Sequence, residues 1–213
     1  MANAFLFDGP DTASFTILLA HGAGAPMDSA AMSGLAQSLA DGGMHVARFE
    51  FDYMAVRRST GRRAPPPKAE TLLDEYRAAV AGLAGQTPLV IGGKSMGGRI
   101  ASMVADELHA AGTIIGLLCL GYPFHPPGKP EQPRTKHLEA LATPSLICQG
   151  TRDPFGTPED VAGYRLSQQI EILWLEDGDH DFKPRKRLSG LSLADHQRTI
   201  GKAARKWIRS LPV

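Results

Sequence analysis

Leu89-Val90-Ile91-Gly92-Gly93-Lys94-Ser95-Met96-Gly97-Gly98 opens as an apolar run of a length that suits a buried strand. It closes in small residues that lead into Arg99-Ile100-Ala101-Ser102-Met103-Val104-Ala105, which reads as a helix. Gly93 to Gly97 fits the pattern G-x-S-x-G. A strand that turns at once into a helix leaves little room at the corner, so the residues two before and two after it must be small. The corner residue is then strained, with its side chain pointing outward. Ser95 is thereby expected at the tip of the turn, over a helix N-terminus that favours developing negative charge.

Three other readings of glycine-rich turns compete. Ser95 could simply cap its helix. A phosphate loop would need a glycine where Pro88 stands, and the strand runs straight into Gly92, leaving no loop to cradle a phosphate. A dinucleotide site could begin at Leu18 to Gly24, with Glu50 as the ribose-binding acid. There Met27 replaces the third glycine and Pro26 adds rigidity where the helix should open.

The 213 residues allow one sizeable core, and a single domain over 1–213 is expected. A net charge of +1 gives no global argument for nucleic acid or a membrane surface. No apolar run reaches the length of a membrane span, and the first residues lack the basic start of a signal peptide. Cys119 and Cys148 sit inside apolar runs, as buried free thiols do. A cytoplasmic protein is expected.

Along the chain, strands are expected at 5–7, 15–20, 44–51, 89–91, 114–120, 145–149 and 170–175. Helices are expected after Asp28 or Ser29, over Leu72–Leu83, after Ser95, over 158–166 and over 193–208. Residues 57–68 read as a basic, proline-rich loop, and 121–136 as a long loop with five prolines. Strands that alternate with helices and are apolar on both faces imply a mostly parallel sheet covered on each side, an α/β fold.

Ligands bind such sheets at the C-terminal ends of the strands. Those ends carry His21-Gly22-Ala23-Gly24, then Ser95, then Asp153, then His180. One serine, one aspartate and one histidine thus meet at one sheet edge, in the chain order that a strand–serine–helix corner requires. Ser95 is expected as nucleophile, His180 as its base and Asp153 as the group that orients His180. Asp177, Asp179 and Asp181 are rival partners for His180. Oxyanion donors are expected at the N–H of Met96 and of Ala23, with Gly24 as second choice. His21 reads as a structural ring that holds the loop. His125, His137 and His196 read as solvated or structural. No cluster has metal-ligand spacing.

These residues resemble the α/β-hydrolases over nearly the whole length. The motifs are H-G-A-G at His21 to Gly24, G-G-K-S-M-G-G at Gly92 to Gly98, G-T-R-D-P-F-G at Gly150 to Gly156 and G-D-H-D-F at Gly178 to Phe182. The chain is most similar to small bacterial members such as dienelactone hydrolases, and to hydrolase-like proteins that include a scaffold subunit of a eukaryotic histone-acetyltransferase complex. The resemblance implies a sheet of about six or seven strands, no large cap, no cofactor and a small ester, thioester or lactone as substrate. It also leaves a second expectation, an interaction protein with a relic site. His21, Tyr53 and Lys94 are expected near the substrate. Where similar chains often carry an aromatic–proline–tyrosine run, this one has Phe51-Asp52-Tyr53.

Basic residues cluster in three segments expected around the site. These are Arg57, Arg58, Arg62, Arg63 and Lys68; then Lys129, Arg134 and Lys136; then Lys183, Arg185, Lys186 and Arg187. They are either solvated loops or a rim selecting an anionic substrate. Oligomeric state is not legible.

Overall fold

Apolar side chains alternate between two cores along each inner strand. Leu18, Ala20, Leu89 and Ile91 point to one core, Ile17, Leu19 and Val90 to the other. That two-sided burial follows from strand geometry, in which successive side chains face opposite ways. The computed structural model describes residues 5–61, 65–83, 85 and 87–212. Its strands are β1 (Leu6–Asp8), β2 (Thr16–Ala20), β3 (His45–Phe49), β4 (Leu89–Lys94), β5 (Gly116–Leu120), β6 (Ser145–Gly150) and β7 (Ile170–Leu175). They form one sheet in the order β1-β3-β2-β4-β5-β6-β7. Only β1 is antiparallel to its neighbour.

The helices are α1 (Ala30–Asp41), α2 (Asp52–Thr60), α3 (Leu73–Ala81), α4 (Met96–Ala110), α5 (Pro158–Ala162), α6 (Lys186–Ser189) and α7 (Leu193–Ile208). Met32, Leu35 and Leu39 of α1 share one core with Ile200, Ala204 and Trp207 of α7. Tyr76 of α3 and Ile100 and Val104 of α4 fill the other. Ser29 caps α1 by accepting the Met32 N–H at 3.4 Å. No large cap domain is inserted among the described residues. The longest connection, 121–135, runs from β5 to a 3-10 turn at Lys136–Leu138.

Three expectations need correction. Arg57 and Arg58 are not in a loop but in the last turn of α2, which opens on Asp52 and ends at Gly61 with φ 70°. Acid at its start and base at its end suit the helix dipole, a signal that the absence of an apolar stripe concealed. α5 stops at Ala162, four residues short of the expected end. α6 was not foreseen. Arg62 and Arg63 lie outside the described residues.

Cys119 and Cys148 are buried free thiols. Among the described residues no helix is long and apolar enough to cross a membrane. Among them, too, no group of three His, Cys, Asp or Glu is placed to hold a metal.

Candidate active site

Ser95 sits between β4 and α4 at φ 52°, ψ −117°, a region that L-residues rarely occupy. The crossing there is tight. A Cβ on Gly93 would lie 2.6 Å from the Ala20 carbonyl oxygen, and one on Gly97 would lie 2.6 Å from those of Ala20 and His21. Glycine at both places lets the corner nestle against the end of β2. The Ser95 N–H donates to the Leu120 carbonyl at 3.0 Å, which fixes the corner to β5.

The loop after β7 delivers His180 to this corner. Its Nε2 is 2.9 Å from Ser95 Oγ, and its Nδ1 is 2.8 Å from Asp153 Oδ2. Asp153, in the turn after β6, is fully buried. A buried carboxylate is tolerable only when its oxygens are satisfied. Here Oδ1 accepts the Phe155 N–H at 2.9 Å, and Oδ2 also accepts from Gln149 Nε2 at 3.0 Å. Gln149 went unnoticed in the sequence. Its signal was a lone polar side chain ending the apolar strand S-L-I-C-Q. Its amide is itself held by the Tyr122 N–H, at 2.8 Å to Oε1. The Phe155 ring packs on the His180 ring, centroids 4.3 Å apart.

The rival aspartates have other tasks. Asp177, at φ 56°, is gripped by Arg185 and by Arg152 at 2.8 Å, and the Arg185 hydrogen bond above all holds its carboxyl down at about 2. Asp179 Oδ1 accepts the N–H groups of Asp181 and Lys183, both at 2.9 Å, closing the turn that presents His180. Asp181 lies 3.5 Å from Lys183 and 3.9 Å from Lys94.

The loop after β2 forms the other wall. Phe51 N–H donates to His21 Nε2 at 3.1 Å, so Nδ1 carries the proton and donates to the Gly22 carbonyl at 2.7 Å. Burial holds the ring below the ordinary histidine range, in keeping with this neutral form. Tyr53 Oη donates to the Ala23 carbonyl at 3.2 Å, and burial pushes its hydroxyl up to about 12. Ala23, Ser95, Met96 and Phe155 are among the residues that line a cleft of about 300 Å³; Gly24 is not in its lining.

None of the three expected substrate contacts lines this cleft, Tyr53 being turned to the Ala23 carbonyl. His21 is fully buried, its two nitrogens used within the loop. Lys94 is buried beneath the His180 loop, its ammonium 5.6 Å from the Phe182 ring centroid and away from the cleft. Alternation along β4 explains this: Lys94 falls on the same face as Val90, the side of the sheet on which Phe182 packs. Three further histidines make structural contacts: His125 reaches Asp160, His137 reaches Ser102 and His196 reaches the Phe182 carbonyl. The acid at Glu50 accepts the Met27 N–H and pairs with Arg58 at 2.8 Å, so it is not free for a ribose.

A family described as "Alpha/beta hydrolase domain" matches residues 13–209. The chain belongs to the α/β-hydrolase family. Several solved structures share its fold. An α/β serine hydrolase homologue from Coxiella burnetii has a TM-score of 0.70 at 18% identity, covering 93% of this chain and 90% of its own. Dienelactone hydrolase from Anabaena variabilis has a TM-score of 0.71 at 17% identity, covering 98% and 92%. A serine hydrolase without a lid from Xanthomonas campestris has a TM-score of 0.66 at 21% identity, covering 98% and 89%.

In this α/β-hydrolase half of the described basic rim, five cations of ten, is occupied. Arg58 is shared by Asp28 and Glu50, Arg185 by Asp177, Lys136 by Glu139 and Lys183 by Asp181. Arg57 Nη1 donates to the Gly24 carbonyl at 3.2 Å. Among the described residues the cations that line the cleft are Lys68, Arg99 and Arg134. Arg99 was not among the residues that the sequence singled out, because it reads as one helical position among many.

Proposed function

We propose that this α/β-hydrolase is a serine hydrolase that cleaves a small ester, thioester or lactone through an acyl-enzyme. The observation that carries this reading is the continuous chain Ser95 Oγ–His180–Asp153, with links of 2.9 and 2.8 Å. His180 Nε2 takes the Ser95 proton as Oγ attacks the carbonyl carbon. The oxygen becomes an anion and is received by the N–H groups of Met96 and Ala23. Collapse expels the alcohol or thiol, which takes its proton from His180. Water, deprotonated by the same ring, then releases the acid and restores Ser95. Asp153 holds the Nδ1–H tautomer and stabilises the imidazolium. No cofactor or metal enters these steps. A cleft with no large cap over it suits small substrates better than long lipids.

The test is labelling by a fluorophosphonate together with turnover of short 4-nitrophenyl esters. Ser95→Ala should abolish labelling and lower turnover by about 10⁴-fold or more. A folded wild-type protein that neither labels nor turns over any ester would overturn the reading and favour an interaction protein with a relic site.

A further inference from the structure

We propose that Arg99 and Arg134 form a carboxylate-binding subsite beside Ser95, so that the substrate is a small ester carrying its own carboxylate. This rests on the hydrolase reading above and narrows its substrate class. Arg99 lies one helical turn beyond Ser95, its N–H bonded to the Ser95 carbonyl at 3.1 Å, and it lines the same cleft. Its Nε is buried with no hydrogen-bond partner. A donor buried in this way is costly unless something accepts from it. The carboxylate closest to it is Glu70, 3.9 Å from Nη2 and itself 62% exposed.

Arg134 enters from the connection after β5. Its own backbone is pinned at both ends: the N–H donates to the Phe124 carbonyl at 2.6 Å, and its carbonyl accepts from Tyr122 Oη at 3.1 Å. Tyr122 and Phe124 are fully buried, so the guanidinium projects from a fixed base. Among the described residues Arg134 has no ion pair, and neither does Lys68, which also lines the cleft. Burial and the Arg99 charge pull the Arg134 guanidinium below its ordinary range. Like charges held together around an unpaired donor are relieved by an anion between them. A planar guanidinium fork suits a carboxylate. The anion-selecting cations are thus in the cleft wall, while Arg58 and Arg185 of the outer rim are neutralised by protein carboxylates.

The experiment compares mono-4-nitrophenyl glutarate with 4-nitrophenyl pentanoate, of equal chain length, after subtracting spontaneous hydrolysis. It is run in the wild type, Arg99→Gln and Arg134→Gln, with the exposed Lys136→Gln as control. Glutarate binding to Ser95→Ala is measured in parallel by calorimetry, with and without each arginine change. The wild type should favour the glutarate ester in kcat/KM, mainly through KM. Each arginine change should lower that preference about ten- to hundredfold, the loss expected for a charge-assisted hydrogen bond, while Lys136→Gln should not. Equal turnover of the two esters by the wild type, or a preference unchanged in both arginine variants, would overturn the subsite and leave the hydrolase reading intact. If no ester is turned over, glutarate binding that is lost on changing either arginine still supports the subsite, and absence of binding removes it.

Discussion

The Ser95–His180–Asp153 chain depends on a fourth side chain. Gln149 gives the buried Asp153 a second donor on the oxygen that faces His180, while its own amide is braced by the Tyr122 N–H and donates to the Tyr122 carbonyl at 3.2 Å. Replacing it with leucine keeps similar volume but leaves Asp153 and Tyr122 short of partners. Gln149→Leu should therefore cost about 1–3 kcal/mol of stability in denaturant unfolding. It should also lower ester turnover more than it raises KM, because a less firmly held Asp153 orients His180 poorly. A variant with unchanged stability and kcat would show that Asp153 needs no support from this amide. Asp52 illustrates a second local choice. Its N–H donates to Glu75 Oε2 at 2.7 Å, a bond that a proline at this position could not make.

The corner between β4 and α4 is specified by backbone proximity rather than by any side chain. Gly97 passes the carbonyl oxygens of Ala20 and His21 at a distance that no Cβ tolerates. Gly97→Ala should destabilise by about 3 kcal/mol through forced displacement of β2 against the corner. It should also weaken fluorophosphonate labelling in whatever fraction stays folded. A hydroxyl ties α3 to β4: Tyr76 Oη, fully buried, accepts the Gly92 N–H at 2.9 Å and donates to the Gly92 carbonyl at 2.7 Å. Tyr76→Phe removes both bonds with no loss of packing volume and should cost about 1–3 kcal/mol. A thermal melt indistinguishable from wild type would mean that the Gly92 peptide finds other partners.

Across the fold as a whole, one buried cation stands apart. Lys94 is sealed between the sheet and the His180 loop, and burial lowers its ammonium to about 8 despite the carboxylates of Asp181, Asp153 and Asp179. Between about pH 8 and the ordinary lysine range the unfolded chain holds this proton and the folded chain does not. Unfolding then binds protons, so stability must rise with pH across that window. The gain attributable to Lys94 is on the order of 3 kcal/mol. Lys94→Met should be more stable than wild type near neutrality, and the difference should shrink as pH rises through the window. Stability measured by urea unfolding at closely spaced pH values checks this. A difference that does not change with pH would mean that Lys94 keeps its charge in the fold.

Local chemistry made much of this molecule legible before any coordinates. Apolar runs such as Ile17–Ala20 and Leu117–Leu120 announced buried parallel strands, because both faces of such strands must be apolar. Small residues around Ser95 announced the corner, because the crossing excludes a Cβ. Ser95, Asp153 and His180 could be read as partners because each directly follows a different strand, and parallel strands bring those ends to one edge. The remainder depended on proximity between segments far apart in sequence. Gln149 meets Tyr122 only once β5 and β6 lie side by side. Lys94 was turned from the cleft by strand alternation, and His21 was consumed by the backbone on either side of its loop. Among the cations, charge and spacing could not tell Arg58, which Asp28 and Glu50 neutralise, from Arg99 and Arg134, which line the cleft. Whether a charge is paired depends on what the folded chain sets across from it, and the order of residues along the chain does not record that.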